Sequence, residues 1–232
     1  MRSQTVILSA LLTTAYAQNG GVGGFFKGFF PAQCPTVWKD VATDLTHTFN
    51  GCGDVARGAI RAPFHDCVTG ACDGSLILGN ECSRAENAGL LPTCNLLGQK
   101  AQQFNVGVAD MIEFAAAVAM AVCPFGPRVR ALVGRIDNST ASPNGLVPGP
   151  RDPMDKILGQ FAKVGMSPAD VVALVGAHTT ARQFFDDPAK AGASLDTTPG
   201  VWDVKFYGQT KAGTAPYSLS SDRRMTNDSR VR

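Results

Sequence analysis

The sequence predicts a mostly α-helical protein, and three observations carry that reading. Apolar residues recur at helical spacing through Trp38, Val41, Leu45 and Phe49, and again through Val55, Ala59, Ile60 and Phe64. Residues 109–122 are apolar on most sides, the composition of a helix buried at the centre of a core. Strand signals are few, and no internal repeat or low-complexity block is present. The chain has 232 residues, 44% hydrophobic and 17% charged, enough for one globular domain with a substantial core in one or two lobes.

Residues 1–17 read as a secretory signal, with Arg2 as the positive start, an apolar run over 6–12 and Ala15-Tyr16-Ala17 as the small-residue cleavage site. That run is too short to span a bilayer, and no later stretch reaches about 20 apolar residues, so a soluble, exported protein over 18–232 is expected. Residues 18–30 are rich in Gly and Phe without a period and read as irregular. A net charge of +2 with no basic run argues against nucleic acid as a partner. Seven cysteines in an exported chain mean disulfides rather than a zinc site, and an odd number leaves one over. Asn138-Ser139-Thr140 and Asn227-Asp228-Ser229 are glycosylation sequons, in keeping with secretion.

A helix over 38–49 ends at Asn50-Gly51, a left-handed cap signal; His47 within it reads as a surface or partly buried polar residue. The next helix covers 54–65, and Pro63 should bend or finish it. Residues 67–95 read as loop, holding cysteines at 67, 72, 82 and 94. After the buried helix at 109–122, the Gly- and Pro-bearing stretch 124–153 reads as a long loop, and 154–164 as a short helix. Ser167-Pro168-Ala169-Asp170 then gives an N-cap, a proline in the first turn and an acid at the third position. That helix delivers His178 near its end, and beyond residue 185 the chain reads as mostly loop.

Chemistry concentrates in two stretches. Only three histidines occur, and Arg57, Arg61 and His65 recur every four residues, which places them on one helix face. A guanidinium one turn before an imidazole aims a donor and a base at the same small volume. Asp66 points elsewhere, and Asp73-Gly74-Ser75 after it looks like oxygen ligands on a turn; Asp196, Thr198 and Asp203 offer a second such set, suited to a hard cation such as Ca²⁺. Blander readings are a solvated Arg/His helix face, a satisfied core histidine at 178 and an ordinary Asx/Thr turn at 196–203.

Taken together and in order, these stretches resemble the secreted fungal haem peroxidases, class II of the plant–fungal–bacterial peroxidase superfamily, over residues 52–230. The resemblance implies the haem-peroxidase fold, two helical lobes with haem b between them. Arg61, Phe64, His65 and Asp66 match its distal helix, and Asn87 matches the residue that holds the distal histidine. His178 matches the axial ligand of the haem iron, with Asp222 as the carboxylate behind it. By that match His65 would move the peroxide proton, Arg61 would stabilise the charge developing as O–O breaks, and Phe64 would line the distal pocket. Two Ca²⁺ sites are implied. The distal one would use Asp66, Asp73 and Ser75 with the carbonyls of Thr69 and Ala71; the proximal one would use Thr179, Asp196, Thr198 and Asp203 with the Val201 carbonyl.

The same resemblance pairs Cys52 with Cys123, Cys67 with Cys72 and Cys82 with Cys94. It leaves Cys34 unpaired, because the family's partner lies further toward a C-terminus that this chain does not reach; the chain therefore reads as truncated. The implied function is a secreted peroxidase that reduces hydrogen peroxide and oxidises small phenolic or aromatic reductants in one-electron steps. It would act as a monomer, or as a dimer joined through Cys34. Lignin-oxidising members carry a tryptophan where this chain has Ala173, and manganese-oxidising members carry three acids where it has Asp54, Gly58 and Phe184, so a general phenol-oxidising enzyme is the expectation. The alternatives are a non-catalytic secreted module that keeps the fold and a secreted zinc hydrolase using His65, His178 and an acid.

Overall fold

Two of the apolar stripes become α1 (Val37–Thr48) and α2 (Asp54–Cys67) in the computed structural model, which describes residues 34–231. The signal peptide expected at 1–17 and the irregular stretch 18–30 lie outside the described residues. Trp38, Val41 and Leu45 bury one side of α1, while α2 buries only small side chains there: Ala56, Ala59 and Ala62. Small residues let α2 lie close along α5 (Val108–Val122), the hub of the first core, where Met111, Ile112, Ala115 and Ala119 are fully buried.

Pro63 does not finish α2. The helix runs four residues further, to Cys67, and so carries His65 and Asp66 as well. Proline removes one N–H from the ladder, a loss that packing on both sides of the helix end offsets. Ala56, Ala59 and Ala62 sit in the first apolar cluster with α1, α4 and α5. Val68 and Phe64, at the other end of α2, join a second cluster with Val147, Met154, Ile157, Leu158, Phe161 and Val171. The helix that bears the distal residues is thus shared between the two lobes.

Helix α4 (Leu91–Phe104) lies where the sequence reads as loop and then as nothing definite. Its buried stripe is Thr93, Cys94, Leu97 and Ala101, so only some of its inward positions are apolar by type, and its proline stands in the first turn, where the N–H would be unpaired anyway. Between α2 and α4 the chain forms a four-residue helix, α3 (Ser75–Leu78), and two 3₁₀ turns, Glu81–Ser83 and Ala85–Asn87.

The second lobe holds α6 (Met154–Lys163) and α7 (Pro168–Val175). Ser167 caps α7 in a reciprocal box with Asp170, each accepting from the other's backbone N–H. The α-helix stops at Val175 and tightens into a 3₁₀ turn, Gly176–Thr180, which carries His178. Two further short helices, α8 (Lys205–Ala212) and α9 (Ser220–Met225), stand where loop is expected. Each buries two side chains, too few to make a periodic signal. Among the described residues one antiparallel bridge, Arg182 with Ser194, is the sole β feature, and no single helix is long and apolar enough to cross a membrane. Disulfides join Cys52 to Cys123, Cys67 to Cys72 and Cys82 to Cys94; Cys34 is free and exposed.

Candidate active site

His65 is 2% exposed and held from both ring nitrogens. Asn87 Oδ1 stands 2.6 Å from His65 Nδ1, and Asn87 Nδ2 donates to the Glu81 carbonyl at 2.9 Å. Since the amide nitrogen is used up on Glu81, the atom facing the ring is the oxygen, an acceptor. Nδ1 therefore carries the proton and Nε2 the lone pair. Arg61 Nε donates to that lone pair at 2.7 Å, and its Nη1 donates to the Ala88 carbonyl at 3.0 Å. Burial holds the His65 pKa well below its usual value, the Arg61 charge lowers it further, and the Asn87 bond partly opposes them. At neutral pH the ring is an uncharged base with its basic nitrogen fixed in direction.

His178 is oriented in the same way from behind. Its Nδ1 lies 3.1 Å from Oδ2 of Asp222, a carboxylate 3% exposed, and its ring meets Phe206 edge-on with centroids 5.4 Å apart. Its Nε2 has no hydrogen-bond partner among the described residues, although the side chain is partly exposed. An imidazole whose Nδ1–H is given to a buried carboxylate, and whose other nitrogen is free, has the chemistry of an axial haem ligand. The residues present fit that group.

The oxygen-bearing residues of the second turn converge. Thr179 Oγ1 donates to Asp196 Oδ2 at 2.7 Å and lies 3.4 Å from Asp203 Oδ1, while Thr198 Oγ1 donates to Asp203 Oδ2 at 2.7 Å. Thr179 and Asp196 are fully buried, and Val201 closes the turn by donating its N–H to the Thr198 carbonyl at 2.9 Å. A buried carboxylate, Asp196, and a partly exposed one, Asp203, interleaved with hydroxyls are a donor set for a hard cation.

The first turn is looser. Asp66 accepts from Gly74 N–H at 3.0 Å and Leu76 N–H at 3.1 Å, and Asp73 accepts from Ser75 N–H and from Asn138 Nδ2. Thr69 Oγ1 donates to the Asp66 carbonyl at 3.0 Å, Ser75 is buried and Ala71 is exposed. Burial pushes the Asp66 carboxyl up to about 6; the two amide bonds pull it down, and Asp73 and Glu113 push it up again. A cation would relieve that crowding of negative charge. Phe64 meets His65 edge-on at 4.9 Å and stacks on Phe161 at 5.6 Å, so it wedges the distal histidine against the second core.

Four participants are given no role at the site by the sequence reading: Glu81 and Ala88 through their carbonyls, Asn138 through its amide, and Phe206 behind His178. A backbone carbonyl leaves no residue-type signal, and Phe206 looks like any apolar residue until α8 is placed. The three positions weighed for manganese are not an acidic cluster. Asp54 is paired with Arg57 at 2.6 Å, Phe184 is exposed, and a Cβ on Gly58 would meet Thr93 Oγ1 at 2.1 Å. His65 Nε2, the nitrogen a shared zinc ion would need, already accepts from the Arg61 guanidinium at 2.7 Å.

The sequence profile described as Peroxidase matches residues 40–232. The chain belongs to the peroxidase family. A peroxidase of Arthromyces ramosus is 36% identical over 205 residues, covering 80% of this chain and 56% of that protein. A peroxidase of Coprinopsis cinerea is 36% identical over 236 residues, covering 91% of this chain and 64% of its own length. Manganese peroxidase 3 of Phlebia radiata is 32% identical over 193 residues, 75% of this chain and 52% of the relative. Relatives of this kind show the resemblance to the fungal class II peroxidases, and this peroxidase-family chain spans 56% and 64% of the first two.

Proposed function

We propose that the protein is a secreted haem-dependent peroxidase that reduces hydrogen peroxide and oxidises small phenolic or aromatic molecules. The observation that carries this reading is the distal triangle: a neutral buried base, His65, set in one tautomer by Asn87 at 2.6 Å and faced by the Arg61 guanidinium at 2.7 Å. Bound haem would supply the iron that receives peroxide and the electrons that pass to it. His65 Nε2 would take the proton from the attacking peroxide oxygen and return it to the departing one. Peroxide must first displace the Arg61 Nε bond, which frees the guanidinium to stabilise the negative charge that develops as O–O breaks. His178 Nε2 would hold the iron, with the proton on Nδ1 leaning toward Asp222. Two Ca²⁺ ions would hold the segments beside the two histidines, through Asp66, Asp73, Ser75 and the Thr69 and Ala71 carbonyls, and through Thr179, Asp196, Thr198, Asp203 and the Val201 carbonyl.

Small phenols rather than Mn²⁺ are favoured as reductants because Gly58, Phe184 and the Arg57-paired Asp54 offer no set of free carboxylates. The deciding experiment is His65→Ala in haem-loaded protein. The Soret band should persist, because His178 is untouched, while the rate of reaction with peroxide falls by about 10²–10⁴-fold, the usual contribution of general base catalysis. A variant that reacts with peroxide as fast as the parent would overturn the assignment. A parent with the Soret band and no peroxide reaction would point instead to a non-catalytic module.

A further inference from the structure

Helix α2 ends at Cys67, two residues past the distal histidine, and its bridge to Cys72 spans a sequence separation of 5. This bridge stands apart from the other two in accessibility. Cys72 is exposed and Cys67 half-buried, whereas Cys52, Cys82, Cys94 and Cys123 are each at most 5% exposed. Exchange requires an incoming thiolate to reach a sulfur, so the 67–72 bridge is the one open to a reductant in the folded protein.

Glu113 faces it from α5. Its Oε1 lies 3.1 Å from Cys67 Sγ, and a bridged sulfur carries no proton to donate. No N–H or O–H of another described residue hydrogen-bonds to this half-buried carboxyl, and burial pushes its pKa up, with Arg135 pulling down and Asp110 pushing up. No hydrogen bond of the distal or proximal machinery reaches it, although its charge bears on Asp66. The two sulfurs and a Glu113 oxygen all lie within 4.8 Å of one another.

We propose that Cys67, Cys72 and Glu113 form a redox-gated site for a soft divalent cation, closed while the bridge is intact and open to Zn²⁺ once a thiol reductant has broken it. The reduction balances with a dithiol. The S–S bond takes two electrons and two protons to give two cysteine thiols, and the dithiol becomes its cyclic disulfide. Zn²⁺ binding then sends the two thiol protons to solvent. Two thiolates and a carboxylate supply three protein ligands, with water as the fourth, a set that prefers Zn²⁺ over Ca²⁺. The proposal does not depend on haem or on the peroxidase reading.

The test uses the full chain with Cys34→Ser, in excess Ca²⁺ so that all-oxygen sites are occupied. Protein treated with dithiothreitol without denaturant, then freed of it anaerobically, is divided between alkylation with peptide mapping and titration with Zn²⁺ against a chromophoric chelator. Cys67 and Cys72 should be alkylated while the other two pairs stay bridged. The reduced protein should bind one Zn²⁺ more than the oxidised protein, and Cd²⁺ should give an ultraviolet thiolate-to-metal band. Glu113→Gln, nearly isosteric, should weaken Zn²⁺ binding about tenfold or more without changing the order of reduction. The proposal fails if a buried bridge opens first or together with 67–72. It fails equally if Cys67→Ser/Cys72→Ser binds the extra Zn²⁺, or if Glu113→Gln binds it as tightly as the parent.

Discussion

At the scale of single residues, the direction of one lone pair decides what His65 can do. Three hydrogen bonds in series fix it: Glu81 carbonyl to Asn87 amide, Asn87 oxygen to His65 Nδ1, and His65 Nε2 to Arg61. Each bond leaves the next group one choice of partner, so the tautomer is set by geometry rather than by pH. Asn87→Ala removes the middle link and leaves a buried Nδ1–H without an acceptor, which costs about 1–3 kcal/mol and frees the ring to change tautomer. In haem-loaded protein this variant should keep its Soret band and lose about 10–100-fold in the rate with peroxide, as losses of orienting partners generally do. Stopped-flow mixing with peroxide measures it, and a rate unchanged from the parent would show that Asn87 does not orient the base.

At the scale of elements, the crossing of α2 and α4 turns on Gly58. A Cβ built there would stand 2.1 Å from Thr93 Oγ1 and 3.2 Å from Thr93 Cβ, so the glycine lets the two helices approach. Gly58→Ala should therefore destabilise the fold by about 1–3 kcal/mol despite the better helix propensity of alanine. Adding Thr93→Ala should return most of that loss, and chemical denaturation of the two single variants and the double variant gives the coupling directly. Additive single effects would mean that the helices simply slide apart. The same crossing shows where the sequence is readable. Helices α1, α2 and α5 are legible because large or uniformly apolar residues mark their buried faces. In α4 the inward positions include Thr93 and Cys94, and in α8 and α9 too few positions face inward, so residue type alone does not reveal these helices.

At the scale of the whole molecule, the site is assembled from segments far apart in sequence. His65 meets Asn87 across 22 positions, and His178 meets Asp222 across 44. Their residue types are visible in the sequence because histidines are scarce and each stands beside an aspartate or threonine. Their convergence with Glu81, Ala88 and Phe206 is a property of the fold alone. What holds such segments together is partly covalent. Cys52–Cys123 ties the start of α2 to the end of α5 across a separation of 71, and Cys82–Cys94 closes a loop of 12 around Asn87. On the chain-entropy account the longer loop restricts the unfolded chain more, about 4 kcal/mol against about 3. All four sulfurs are buried, so each paired Cys→Ala replacement loses similar packing and the difference between the two should reflect loop length. Cys52→Ala/Cys123→Ala should therefore melt lower than Cys82→Ala/Cys94→Ala by roughly 2–6 °C, given about 2–4 °C per kcal/mol at this size. Calorimetry on the two variants decides the matter: if the shorter bridge proves the costlier to lose, local ordering of the loop around Asn87, not restriction of the unfolded chain, is the larger contribution of these disulfides.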